Sequence, residues 1–222
     1  MSRYCAVCDS TSDAFLEYGI KPRADARCPA CGSLERHRLL LVFLRATDFF
    51  DGKPKRFLHI APERSLGQIF AHVCGSGYLS ADLNDPTAME KMDITDIRHP
   101  DDSFDVIYCS HVLEHVPADR KAMRELCRVL RPSGFAILNV PVLVKETFED
   151  PSIVDPADRQ RVYGHFDHVR NYGRDYKDRL TESGFEVTEC HAHDLLSPEE
   201  IERHGLRNRC CGEIYMGTKR QG

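Results

Sequence analysis

Residues Phe104–Val142 read FDVIYCSHVLEHVPADRKAMRELCRVLRPSGFAILNVPV. An apolar run of strand length, FDVIYCS, leads through a turn into an amphipathic segment from Ala118 to Leu130, which is followed by a second apolar run, FAILNVPV. Two buried strands joined by a helix are the unit of a parallel sheet, because strands running the same way need a crossover long enough to hold a helix. The same alternation extends backward through RFLHIA (56–61), a helix near Ser65–Val73, YLSADL (78–83) and KMDIT (91–95). Forward, Tyr176–Ser183 reads as a helix ended by Gly184, and FEVTEC (185–190) and EIYMGTK (213–219) read as the last strands. The fold class is therefore α/β.

Composition bounds the rest. A chain of 222 residues, 41% hydrophobic and 9% aromatic, holds one domain with a real core plus a small appendage. The opening residues MSRYCAVCDS lack a signal-type apolar core, and no stretch approaches the roughly 20 apolar residues needed to span a bilayer. The expectation is a cytoplasmic protein with no membrane span. The net charge of -5 and pI near 6.1 do not advertise a polyanion partner. Charge is uneven, however: residues 1–56 carry 10 Lys/Arg against 7 Asp/Glu, and the remainder 20 against 28.

Cys5-x-x-Cys8 and Cys28-x-x-Cys31, nineteen residues apart, have the spacing of two knuckles that clamp one tetrahedral Zn2+. Gly32 can take the positive φ that such a turn needs. A closed four-thiolate set leaves no position for a reactive water, so the expected role is structural. Cys74, Cys109, Cys127 and Cys190 read as small buried hydrophobes, and Cys210–Cys211 as a strand start rather than a soft-metal site. The expected domains are a zinc ribbon over 1–36, a bridging helix over 37–55 and a catalytic domain over 56–222, with an irregular insertion or lid at about 143–172.

In an open parallel sheet, ligands sit outside the carboxyl ends of the strands near the switch point. Asp82 ends the second strand, twenty residues after Pro62 in the loop of the first, where a carboxylate can accept from ribose hydroxyls. Asp93 follows Met92 in the third and can accept from the exocyclic amine of a base. Ser110 and His111 end the fourth. Leu83 and Ile94, next to the two acids, belong to the same candidate edge. Each taken singly also fits a helix cap or a loop polar group.

The run from Met92 to Val142 resembles the middle of class I S-adenosylmethionine methyltransferases of the type 11 group, and the resemblance spans roughly 56–219. It implies a Rossmann-like seven-stranded sheet with a reversed final hairpin, S-adenosylmethionine as cofactor and S-adenosylhomocysteine as product. In that family the turn after the fourth strand borders the methyl donor. More narrowly, CPACGSLERHR (28–38), LHIAPE (58–63), TFED (147–150) and GHFDHVRNYGRDY (164–176) resemble a bacterial subgroup that bears a zinc ribbon. The first loop departs from the family. His59 stands for the usual acid, and Ala61-Pro62-Glu63 for the glycines whose absence argues against a dinucleotide or triphosphate. Glu63 can instead meet the cofactor's ammonium group or act as a helix N-terminal carboxylate.

Methyl transfer needs alignment, exclusion of water and, for a hydroxyl acceptor, a base. Tyr163, His165, Asp167, His168, Arg170 and Tyr172 crowd into ten residues of the insertion. His168 is the expected base, with His165 beside it, and Arg170 the expected clamp for an anionic acceptor. If this stretch is extended, His165 and Asp167 lie on one side and His168, Arg170 and Tyr172 on the other. His115 reads as packing at a helix start, and no ligand motif marks a second metal. The leading expectation is a small-molecule or glycan- or lipid-linked acceptor. The first alternative is RNA, with Arg36, Arg38 and Arg45 on phosphates. The second is a non-catalytic binding module whose altered first loop has lost the cofactor.

Overall fold

The computed structural model describes residues 2–19, 22–207 and 212–220. Cys210 and Cys211 lie outside them. The chain forms two units. The first holds β1 (Arg3–Cys5), β2 (Ser10–Ser12), β3 (Leu16–Tyr18), β4 (Arg23–Arg27) and α1 (Glu35–Arg45). The second is built on β5 (Phe57–Ile60). Returning to the first unit, the next element is α2 (Arg64–Cys74).

The second unit continues with β6 (Tyr78–Asp82), β7 (Glu90–Lys91), β8 (Phe104–Ser110), α3 (Asp119–Val129) and β9 (Leu130–Asn139). There follow β10 (Phe148–Glu149), α4 (Pro156–Tyr163), β11 (Arg170–Asn171), α5 (Tyr176–Glu182) and β12 (Phe185–Cys190). The chain then gives α6 (Ala192–Leu195) and α7 (Pro198–Arg203) to the first unit and ends in β13 (Ile214–Lys219).

The seven-stranded sheet has the order β12-β13-β9-β8-β5-β6-β7. β5 pairs in parallel with both β6 and β8, β8 pairs in parallel with β9, and β13 runs antiparallel to β9. The chain starts in the middle at β5, steps outward to β7, then returns to β8 on the other side. The carboxyl ends of β5 and β8 therefore flank the switch point, where helices and loops diverge and leave room for a ligand. The expected seven strands with one reversed are present. The third is shorter than KMDIT, because only Glu90 and Lys91 pair before Asp93 turns the chain.

Alternation along the strands sorts the faces. Leu58 and Ile60 of β5 join Ile107, Cys109, Ala136 and Leu138 in the core. His59, on the other face and fully buried, meets the Tyr78 hydroxyl at 3.0 Å. The residue that replaces the usual acid thus belongs to packing. α3 adds Ala122, Met123, Leu126 and Cys127 to the core, and α5 adds Tyr176 and Leu180. Cys74, Cys109, Cys127 and Cys190 are all buried, as expected.

Residues 1–54 form one unit with 63–75 and 189–214, while 55–62, 76–188 and 215–222 form the other. The helix expected to bridge is the core of the first unit: Leu39, Leu40, Leu41, Phe43 and Leu44 are buried. Arg38, wholly buried, gives all five of its N–H groups to the carbonyls of Asp25, Ala26, Ser33, His204 and Gly205 at 2.7–3.3 Å. It also stacks over Phe15, 4.0 Å from the ring centroid. A guanidinium so committed is not available to a phosphate, which corrects that expectation for Arg38. Among the described residues no helix is long and apolar enough to cross a membrane.

A Cβ at Gly77 would lie 2.1 Å from the Lys55 carbonyl oxygen, in backbone that β5 holds in place. Gly77→Ala is expected to destabilise the sheet unit by about 2 kcal/mol, measured as a lowered urea midpoint at unchanged slope.

Candidate functional site

In the first unit the four sulfurs come together as the spacing implies. Cys5 Sγ lies 3.7 Å from Cys31 Sγ, and Cys8 Sγ 3.8 Å from Cys28 Sγ. Four sulfurs about 2.3 Å from a tetrahedral zinc lie about 3.8 Å apart, so the set fits that ion. The two knuckles are built alike. The residue after each pair, Asp9 (φ 55°) or Gly32 (φ 73°), is left-handed, and its N–H donates to the carbonyl of the first cysteine at 2.9 and 3.0 Å. Also in this unit, Glu63 occupies the N-cap position of α2 without a side-chain capping hydrogen bond, and its Oε1 lies 3.5 Å from His37 Nε2. The helix-terminal alternative describes its position.

In the second unit the candidate cofactor edge follows the switch point. Ala61, just past β5, has φ 49°, and His111, just past β8, has φ 56°. Each costs about 1 kcal/mol or more for a residue with a Cβ, and such strain collects where a loop must turn sharply beside a ligand. Both are held: Ala61 N–H donates to Ala81 O at 2.9 Å and His111 N–H to Asn139 O at 2.8 Å. Ser110 is buried, and its hydroxyl has no hydrogen-bond partner among the described residues. Such a group calls for a water or a ligand.

Pro62 follows Ala61 on the same edge. Asp82 ends β6 and turns one carboxylate oxygen onto the N–H groups of Asn84 and Asp85, both at 2.7 Å. Leu83 beside it is 48% exposed, which suits an apolar wall for a base. Asp93 accepts from the N–H and the hydroxyl of Thr95, which hold its carboxyl below the usual range. Ile94 is buried in the core, so only its backbone can face a ligand.

The insertion is more ordered than the sequence suggests. β10 pairs antiparallel with β11, α4 is capped by Asp155 and stopped by Gly164 (φ 83°), and Val142 bridges to Tyr172. Arg170, expected as an anion clamp, is 2% exposed and occupied. Its Nη1 donates to the carbonyls of Leu113 and Val116 at 2.9 and 2.6 Å and its Nη2 to that of Pro117 at 2.9 Å. Its Nε donates to Glu149 at 2.8 Å. Arg179 joins Glu149 at 2.9 Å to Asp119 at 3.0 Å, and the Tyr172 hydroxyl donates to Asp119 at 2.7 Å. Burial opposes ionisation of Glu149, but Arg179 and Arg170 hold its carboxyl below the usual range. Arg170 is thus a tie that closes the turn after β8.

The chain does not stay extended over 165–168. It turns at Phe166–Asp167, so His165, Asp167 and His168 converge instead of alternating, and His115 joins them. His115 Nδ1 lies 3.0 Å from Asp167 Oδ1, which also meets His165 Nδ1. The His168 ring centroid is 4.6 Å from that of His115 and 4.8 Å from that of His165. Burial, opposed by the Glu114 carboxylate and reinforced by His115 and His165, pushes the His168 imidazole down to about 4. The ring is therefore neutral at neutral pH.

Sequence reasoning missed Glu114, which is 1% exposed with Oε2 unpartnered and lies 3.4 Å from His111 Nδ1. It also missed Asp119, Glu149 and Arg179. Only their spacing to Arg170 through the fold reveals them. The TFED and GHFDHVRNYG runs hold two of the partners, Glu149 and Arg170.

A family model described as a methyltransferase domain matches residues 72–138. The 27-O-demethylrifamycin SV methyltransferase of Amycolatopsis mediterranei is 38% identical over 64 residues, covering 29% of this chain and 24% of that protein. Methyltransferase GfsG of Streptomyces halstedii is 30% identical over 95 residues, covering 42% of this chain and 34% of that one. The chain thus spans about a quarter to a third of the length of these curated relatives. An S-adenosylmethionine-dependent methyltransferase structure from Mesorhizobium loti superposes with a TM-score of 0.52 at 17% identity, covering 80% of this chain and 96% of that one. The fold is the Rossmann-like class I methyltransferase fold.

Replacing Arg170 by Ala is expected to cost about 3–5 kcal/mol, because the buried Asp119 carboxylate loses one of its two guanidinium neighbours and the carbonyls of Leu113, Val116 and Pro117 lose their donor. Arg170→Lys is not expected to restore it, since one ammonium cannot span three carbonyls and a carboxylate. Chemical denaturation of both variants measures this; a wild-type midpoint in either would return Arg170 to the role of a free clamp.

Proposed function

We propose that the chain is a methyltransferase that takes the methyl group of S-adenosylmethionine and passes it to a small molecule. The observation that carries this reading is the arrangement at the switch point. Ala61 and His111 are both left-handed, the buried Ser110 hydroxyl is unpartnered, and Asp82 ends the neighbouring strand on the far side of β5. S-adenosylmethionine carries ribose hydroxyls and a base but no phosphate, so the missing glycines of the first loop do not count against it. Ala61, Pro62, Asp82, Leu83, Asp93, Ile94, Ser110 and His111 form the proposed donor edge.

A small, partly apolar acceptor is supported by the exposed Leu143, Val144, Phe148, Val154 and Phe166 of the insertion and by the acceptor in the name of the rifamycin-modifying relative. The imidazole cluster of His115, His165 and His168 is proposed to assist loss of the acceptor proton. In the ribbon, Cys5, Cys8, Cys28 and Cys31 are proposed to hold one structural zinc, whose chemistry there is to cross-link two turns.

Titration with S-adenosylmethionine and S-adenosylhomocysteine tests the reading. Binding is expected, and Asp82→Ala should weaken it at least tenfold; no heat and no thermal shift at millimolar cofactor would leave a non-catalytic module. Radioactive donor supplied with a metabolite extract and, separately, with total RNA should label the former, and label in RNA alone would reverse the choice of acceptor. For the ribbon, a mercurial that titrates thiols should release one zinc per chain from the native protein and none from Cys28→Ser.

A further inference from the structure

Four side chains that can ligate a metal meet at the turn after β8 and the end of α4, apart from the four cysteines. The ligand atoms of His115, His165, Asp167 and His168 all lie within 4.8 Å of one another. The three rings contact one another with centroids 4.6–5.7 Å apart, and the carboxylate lies among them. Three imidazoles surround a single carboxylate, and Asp167 Oδ1 receives two of them. Among the described residues the His168 Nδ1 atom is buried without a hydrogen-bond partner, and so is Oε2 of Glu114, whose side chain, 2% exposed, lies in the cluster's own turn. Both call for a partner. A cation between the rings supplies one for the nitrogen lone pairs and a countercharge for the second carboxylate.

We propose that these residues bind one divalent first-row metal ion, with His115, His165, His168 and Asp167 as ligands and Glu114 as the carboxylate behind them. Ligands about 2.0–2.2 Å from one ion lie no more than about 4.4 Å apart, so shifts of a few tenths of an ångström close the set. Three imidazole nitrogens and one oxygen favour the borderline ions from manganese to zinc over magnesium or calcium, which prefer all-oxygen shells, and over copper(I), which prefers sulfur. His115, His165 and Asp167 are 31%, 35% and 46% exposed, so an ion with more than four positions keeps some open to a ligand. Resting on the methyltransferase reading, the ion would lower the pKa of an acceptor hydroxyl. The O–H proton leaves to water, and the oxygen bonds the methyl carbon as its bond to sulfur breaks, leaving neutral S-adenosylhomocysteine.

The test keeps the two metal sites apart. Protein carrying no more than one equivalent of zinc, which the four thiolates take in preference to the imidazole set, is titrated with Co2+ and followed by visible absorption and calorimetry. One equivalent per chain is expected, with ligand-field bands and no thiolate charge-transfer band. His165→Ala and Asp167→Asn should each weaken binding at least tenfold, while the thermal midpoint and the affinity for S-adenosylmethionine stay near wild type. If His165→Ala fails to fold, Asp167→Asn, nearly isosteric, carries the comparison. No Co2+ uptake by the protein so loaded, or equal uptake by the variants, overturns the site. Because cofactor binding is read separately, loss of the metal reading leaves the donor site standing, and absence of cofactor binding leaves the metal site standing.

Discussion

The turn after β8 depends on a buried guanidinium. Removing a charge from water costs several kcal/mol unless geometry and partners restore it, and Arg170 meets that condition with three carbonyls of the turn after β8 and the carboxylate of Glu149. Glu149 and Asp119 meet it in turn with Arg179 and Tyr172. The insertion therefore cannot be shifted without exposing or orphaning a charge, and the imidazoles it carries are placed by the same bonds. Val169 N–H to Glu114 O at 2.9 Å continues the attachment one residue away.

Strain at the switch point has its own supports. Left-handed backbone at Ala61 and His111 persists only where neighbours over-determine it. Here the neighbours are adjacent strands: Ala81 holds one turn and Asn139 the other. Asn139 is itself fixed by the Tyr215 N–H at 3.0 Å, so the reversed last strand contributes to the geometry of an edge it does not reach. A glycine-rich loop would reach such turns without cost but would not be locked in them.

How much of this was legible varied with the range of the interaction. The strands, α3 and the two cysteine knuckles follow from periodicity and spacing, which are local. The ends of β5, β6 and β8 were legible because a parallel sheet puts ligands at one edge. Arg170 was misread because a charged residue in a polar stretch looks the same in sequence whether it meets solvent or three backbone carbonyls and a carboxylate. The convergence of His165 with His168 depended on a turn at Phe166–Asp167 that has neither glycine nor proline to announce it. Glu114 and His115 gave no sign of their neighbours, because those come from 50 or so residues farther along. The grouping of α2, α6 and α7 with the first unit was not legible for the same reason, since they come from later parts of the chain.

Arg38 makes that last point a matter of timing during synthesis. Two of its five acceptors, the carbonyls of His204 and Gly205, leave the ribosome more than 160 residues after it does. Until then the guanidinium has a buried seat with two vacancies, and water must fill them. The cysteine knuckles, complete by residue 32, emerge long before the helix of the same unit is finally closed. The first unit therefore begins to assemble first and is completed among the last, and a nascent chain halted before residue 204 would leave Arg38 short of two acceptors.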